Sequence, residues 1–145
     1  MHEEQDVPGE ESLWRRVSVT NPHMMRRDTV TEEERPTSAA FKPKPHEDGT
    51  SVYVRGLLHE MDLDAAAVIV KSDDSVWEVT VKDIQDVNLD VRLDLWPQDI
   101  ENAEHLRNGA HALIVGWDGW TKGQISSAAR ALAKVAVCVY RPDGA

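Results

Sequence analysis

The clearest order in the chain is an alternation of apolar and polar residues with a period of two, the mark of a strand with one buried face. In LDVRLDLW, Leu89, Val91, Leu93 and Leu95 fall on one side, with Asp90, Arg92 and Asp94 on the other. SVWEVTV sets Val76, Glu78 and Thr80 against Trp77, Val79 and Val81. LWRRVSV sets Leu13, Arg15, Val17 and Val19 against Trp14, Arg16 and Ser18. SVYVRGLL sets Val52 and Val54 against Ser51, Tyr53 and Arg55. AHALIVGW and VAVCVY are continuously apolar, as in strands covered on both faces.

Helical spacing is clearest near the C-terminus. Thr121 can cap a helix over GQISSAARALAK, in which Ile125, Ala128, Ala129 and Leu132 share a face. Asp62 is placed to cap a short helix in DLDAAAVIV, TSAAF reads as a helical turn or a strand, and KDIQDVN and residues 98–108 read as helical turns. Residues 20–36, with Pro22, Pro36 and the triplet Glu32–Glu34, read as one long loop; Lys42–Gly49, with two prolines and a glycine, reads as irregular. Residues 1–11, MHEEQDVPGEE, read as a disordered acidic tail, leaving 12–145 as a single domain. Strands that follow one another without intervening helices predict an α+β fold. Its sheet is mixed and mostly antiparallel, with two or three helices, and a C-terminal helix is followed by a final strand.

Composition narrows the function. The chain has 145 residues, enough for one real core, and five Trp against one Phe, so indoles supply much of its large apolar volume. A net charge of −10 argues against a nucleic-acid partner and leaves another protein as the expected one. One cysteine, Cys138 in a run that reads as core, allows no internal disulfide and suggests a cytoplasmic setting. No leader-like segment opens the chain, and no apolar run reaches the roughly 20 residues that span a bilayer, so no membrane role is expected.

Against this acidic background the stretch from Arg35 to Arg55, RPTSAAFKPKPHEDGTSVYVR, is dense in Arg, Lys and hydroxyls. Such donors suit a phosphate or a carboxylate, which makes Arg35 and Arg55 candidate binding residues. Arg15 or Arg16 would otherwise face solvent or an acid. Ser51 reads as satisfying local backbone at a turn, and Ser38 either does the same or donates to a ligand. His111 is a core histidine or a general base. The GWDGW segment either covers the core edge or presents Trp117 and Trp120 as partner anchors. Asp73, Asp74, Asp83 and Asp86 read as solvated charges. The histidines lack the spacing of a zinc motif, so no metal site is expected.

At WRRV, RPTSAAFK, SVYV, GAHALIVG and ARALAKVAVCVYRP the chain resembles a group of small bacterial proteins, over most of residues 13–142. That resemblance implies a bacterial origin and an intact domain, with a place in a multi-gene system of the defence or toxin–antitoxin type. The chain is also faintly similar to the ADP-ribosyltransferase-like toxins, including the RES-type enzymes that degrade NAD. Arg15 or Arg16, Ser38 or Ser51, and Tyr53 match those enzymes; the glutamate many of them carry has no counterpart. The leading expectation is therefore a protein-binding accessory module without a cofactor. The enzyme alternative acts on NAD, with Arg16, Ser38, Tyr53 and His111 as its catalytic set. A third reading is a purely structural domain. A concave pocket with converging Arg and base would favour the enzyme; a flat patch with exposed aromatics would favour the module.

Overall fold

The computed structural model describes residues 10–27, 30, 34–43, 49–94 and 109–142. Its main element is a six-stranded antiparallel sheet, in spatial order β6-β7-β4-β1-β5-β8. The strands are β1 (Ser12–Ser18), β4 (Thr50–Val54), β5 (Asp74–Thr80), β6 (Asp90–Leu93), β7 (His111–Val115) and β8 (Val137–Tyr140). A two-stranded ribbon, β2 (Met25–Arg27) with β3 (Glu34–Pro36), stands apart from it. Three α-helices complete the described residues: α1 (Arg55–Glu60), α2 (Val81–Asp86) and α3 (Lys122–Val135). The fold is α+β, and the C-terminal helix leads into the last strand, as the sequence predicts.

The alternating residues settle the two faces of the sheet. Leu13, Val17, Val52, Val54, Trp77, Val79, Ala112 and Ile114 pack on one face, beneath Ala128, Ala129 and Leu132 of α3 and Ile84 of α2. Trp14, Tyr53 and Val76 point the other way, against Leu58 of α1 and the 3₁₀ turn Ala65–Val68. We call these the helix face and the outer face. Each buried indole N–H has a partner: Trp14 donates to Glu78 Oε1 at 2.9 Å, Trp77 to Ser75 Oγ at 3.0 Å and Trp117 to the Ile114 carbonyl at 2.9 Å. That pairing lets Trp serve as core volume.

Several local expectations are revised. The strand expected to run through RGLL stops at Val54, where α1 begins. The Glu11 carboxylate accepts from the Gly56 N–H at 2.9 Å in the first turn of α1, a favourable place for an acid. A Cβ at Gly56 would lie 2.8 Å from the same carboxylate, so glycine permits the approach. Glu11 thus belongs to the fold, while residues 1–9 of the segment expected to be disordered lie outside the described residues. Asp62 is no cap: it sits in a left-handed turn at φ 57°, and Asp64 caps the 3₁₀ turn by accepting from Ala66 N–H. The loop expected over 20–36 contains the β2–β3 ribbon. Asp74 is buried rather than solvated, accepting from the Val70 and Lys71 amides at 2.9 Å each. Asp73 accepts from Thr20 and Ser18, which hold its carboxyl below the usual range. Asp83 completes a capping box with Thr80 at the start of α2, and Gln124 does so with Thr121 at α3.

Of the predicted face in LDVRLDLW, Leu89 and Val91 are buried and Leu93 packs partly buried against the core. Leu95 and residues 98–108 lie outside the described residues. VAVCVY forms an edge strand rather than a core one: Val137 and Val139 are exposed and Cys138 is half-buried. Among the described residues, no helix is long and apolar enough to cross a membrane.

Candidate functional site

On the helix side of the molecule, the β2–β3 ribbon, the 3₁₀ turn Ser38–Ala40 and the C-terminal half of α3 enclose a groove of about 450 Å³. Arg26, Arg35, Arg130 and Lys134 line it, with Thr37 and Ser38, and no carboxylate lines it among the described residues. In a chain of net charge −10 this is a local reversal of sign.

The four cations are not equivalent. Arg35 is committed to the scaffold. Its Nη2 donates to the carbonyls of Ala133 and Lys134 at 2.9 Å and of Ala136 at 3.0 Å, closing the C-terminal end of α3. Its guanidinium also lies 5.2 Å from the centre of the buried Trp77 ring. A cation there offsets the negative end of the helix. Arg26, Arg130 and Lys134 are exposed and have no hydrogen-bonding or charged partner among the described residues. The Thr37 hydroxyl donates to the His23 carbonyl, which holds the ribbon against the turn. The Ser38 hydroxyl makes no hydrogen bond among the described residues and is half-buried at the groove. The groove therefore offers three uncommitted cations and one hydroxyl.

The outer face carries a second polar group. Asp94, His111, Tyr53, Trp14 and Glu78 form one row across four strands and the residue after β6. His111 is fully buried, and its Nδ1 faces two oxygens of Asp94, the carbonyl at 2.9 Å and Oδ2 at 3.2 Å. Nδ1 therefore carries the proton, and Nε2 accepts from the Ser51 hydroxyl at 2.9 Å. Burial pushes the His111 pKa below its ordinary value of 6.5, although Asp94 pulls the other way. The Tyr53 ring meets the imidazole edge-on at 5.5 Å. Arg16 lies over Tyr53 at 5.9 Å and donates to the Val68 carbonyl at 3.0 Å.

The structure thus brings together Arg16, Tyr53 and His111, three members of the set expected for an enzyme. Ser38, the fourth, lies across the sheet at the cationic groove with Arg35. Ser51 is not a turn serine satisfying backbone; its hydroxyl bonds to His111. Arg15 faces the helix side and bridges the gap where β1 and β4 part, donating to the carbonyls of Ala40 at 2.8 Å and Ser51 at 2.7 Å. Arg55 is exposed, 3.5 Å from Glu78. Trp117, expected as a partner anchor, is buried in the core, with Trp120 edge-on against it at 5.8 Å. Trp120 is half-exposed and lines a second groove of about 380 Å³ with Val87, Gln124 and Ala131. Among the described residues, no group of three or more His, Cys, Asp or Glu is placed to hold a metal.

Arg26, Arg130 and Lys134 were not singled out by sequence reasoning. They come from separate segments, and nothing in their spacing marks them as neighbours. Asp94 was read only as the polar side of a strand. No protein-family model matches the chain, and neither a curated protein nor a solved structure matches it.

Proposed function

We propose that the protein is a binding module that holds an acidic segment of a partner protein in the groove between the β2–β3 ribbon and α3. The observation that supports this reading is the cluster of uncommitted cations, Arg26, Arg130 and Lys134, in a chain otherwise strongly acidic. An isolated positive patch on a negative surface steers an acidic segment to one place and repels it elsewhere. Arg35 supports the site from behind by fixing the end of α3 on which Arg130 and Lys134 stand. The half-exposed Trp120 gives a partner a second, apolar contact in its own groove.

A fluorescein-labelled peptide of Glu residues, read by anisotropy at low salt, tests the proposal. Binding is expected to weaken with added salt and to fall about tenfold or more in the double variant Arg26→Glu, Arg130→Glu. Lys82→Glu on the exposed face of α2 is the single-charge control and is expected to bind nearly as the parent does. An equal loss in that control, or no binding by the parent, would remove the groove from the function.

A further inference from the structure

The polar row on the outer face has the connectivity of a serine nucleophile with its base and orienting acid. We propose that Ser51, His111 and Asp94 form a nucleophilic site that acts on a small carboxylic ester. The inference is independent of the cationic groove.

Three observations carry it. First, the chain of contacts runs in the required direction: the Ser51 hydroxyl donates to His111 Nε2 at 2.9 Å, and Nδ1–H is directed at Asp94. The tautomer is the one a general base needs, with the acceptor nitrogen on the nucleophile and the proton on the orienting acid. Second, the parts come from three neighbouring strands, β4, β7 and the end of β6, in a register fixed by backbone pairing. A site built on strands is held more precisely than one built on loops. Third, the nucleophile can be reached: Ser51 is half-buried, with the buried imidazole directly behind its hydroxyl.

Arg16 lies on the same face of β1, two positions beyond the Trp14–Tyr53 pair, as Ser51 does on β4. One of its N–H groups donates to the Val68 carbonyl, and its guanidinium lies over Tyr53, the neighbour of Ser51 on that face of β4. Leu113, paired across from Ser51, offers an apolar wall to the acyl group.

The reaction balances without a cofactor. Ser51 Oγ attacks the ester carbonyl while its proton passes to His111 Nε2. The C–O bond to the alcohol then breaks, and the leaving alkoxide takes that proton. Water repeats the sequence on the acyl-serine, releasing a carboxylic acid and restoring the hydroxyl.

A fluorophosphonate probe tests the site without knowledge of the ester. Ser51 Oγ would bond to phosphorus, fluoride would leave, and intact mass and peptide mapping would read the adduct. The expected result is one adduct per chain, at Ser51, absent in Ser51→Ala and in heat-denatured protein. Asp94→Asn should label about tenfold more slowly; the loss is smaller than in a full triad because the Asp94 carbonyl still holds Nδ1–H. Circular dichroism of each variant checks the fold, and Asp94→Asn leaves the backbone bonds in place. Absence of label at Ser51 in folded parent protein, or equal rates for the parent and Asp94→Asn, would overturn the proposal.

Discussion

The two faces of the sheet solve burial in opposite ways. The helix face is closed by apolar packing: α3 presents alanines and Leu132, and the sheet answers with Val, Leu, Ile and Trp77. The outer face is closed in part by polar groups that satisfy one another, from Glu78 with Trp14 to Ser51 with His111 and Asp94. Losing a partner on the apolar face leaves a cavity, whereas losing a member of the polar row leaves another polar group unsatisfied. The difference teaches where chemistry can reside. On the helix face the reactive side chains are pushed to the rim, at the cationic groove. On the outer face they lie within the sheet.

The largest expected effect breaks the helix face. Leu132→Ala should cost about 2–5 kcal/mol in urea unfolding, since the residue is fully buried between α3 and the sheet. Trp117→Ala should fall in the same range, about 3–5 kcal/mol, because that indole is core. Trp120→Ala should cost far less, which separates the two tryptophans of GWDGW. A surface-like response at Leu132 would mean that α3 does not close this face.

Acid should break the outer face next. The folded protein holds His111 neutral to a lower pH than the ordinary 6.5 of the unfolded chain. Below 6.5 the unfolded state therefore binds more protons, and stability falls as pH falls through that window. The charged and titratable groups facing the ring among the described residues are Asp94, Arg16 and Tyr53. Urea midpoints at about pH 7.5 and about pH 5.5 should differ by more in the parent than in His111→Gln, which keeps hydrogen-bonding capacity without titrating. Equal acid sensitivity in both would show that the imidazole is not the linked group.

Arg35 sharpens the contrast between rim and core. Arg35→Ala should destabilise by about 1–2 kcal/mol, since a half-buried cation loses three carbonyl contacts at the end of α3. Arg26→Ala should leave the thermal midpoint unchanged within error while weakening peptide binding. The smallest effect belongs to the N-terminus. Removing residues 1–9 should barely change the midpoint, whereas Glu11→Ala should cost about 1 kcal/mol through the lost contact with α1. Equal tolerance of both changes would show that the Glu11 contact adds nothing to the fold.

How legible these features were depended on their range. Alternation in LWRRVS, SVYV and SVWEVT was read correctly because a two-residue period is local and each strand repeats it. The β2–β3 ribbon was missed because three-residue strands give a single alternation, lost among prolines and acids. The switch from β4 to α1 has no cap in the local sequence, and the Glu11 contact on its first turn comes from far back in the chain. At the site, Arg16, Tyr53 and His111 were chosen singly, and strand pairing put them together. Register is not written in any one segment, so the bond from Ser51 to His111 had no local signature. Arg26 and Arg130 meet only through tertiary packing.

The first strand of the chain lies at the centre of the sheet, between β4 and β5. Both of its partners are made later: β4 is complete only at Val54 and β5 only at Thr80. Closing those long loops must precede any gain from the pairing, which makes folding slow for a chain of this size. Until β5 is added, one edge of β1 stays open, with its backbone N–H and C=O groups free to pair with another chain.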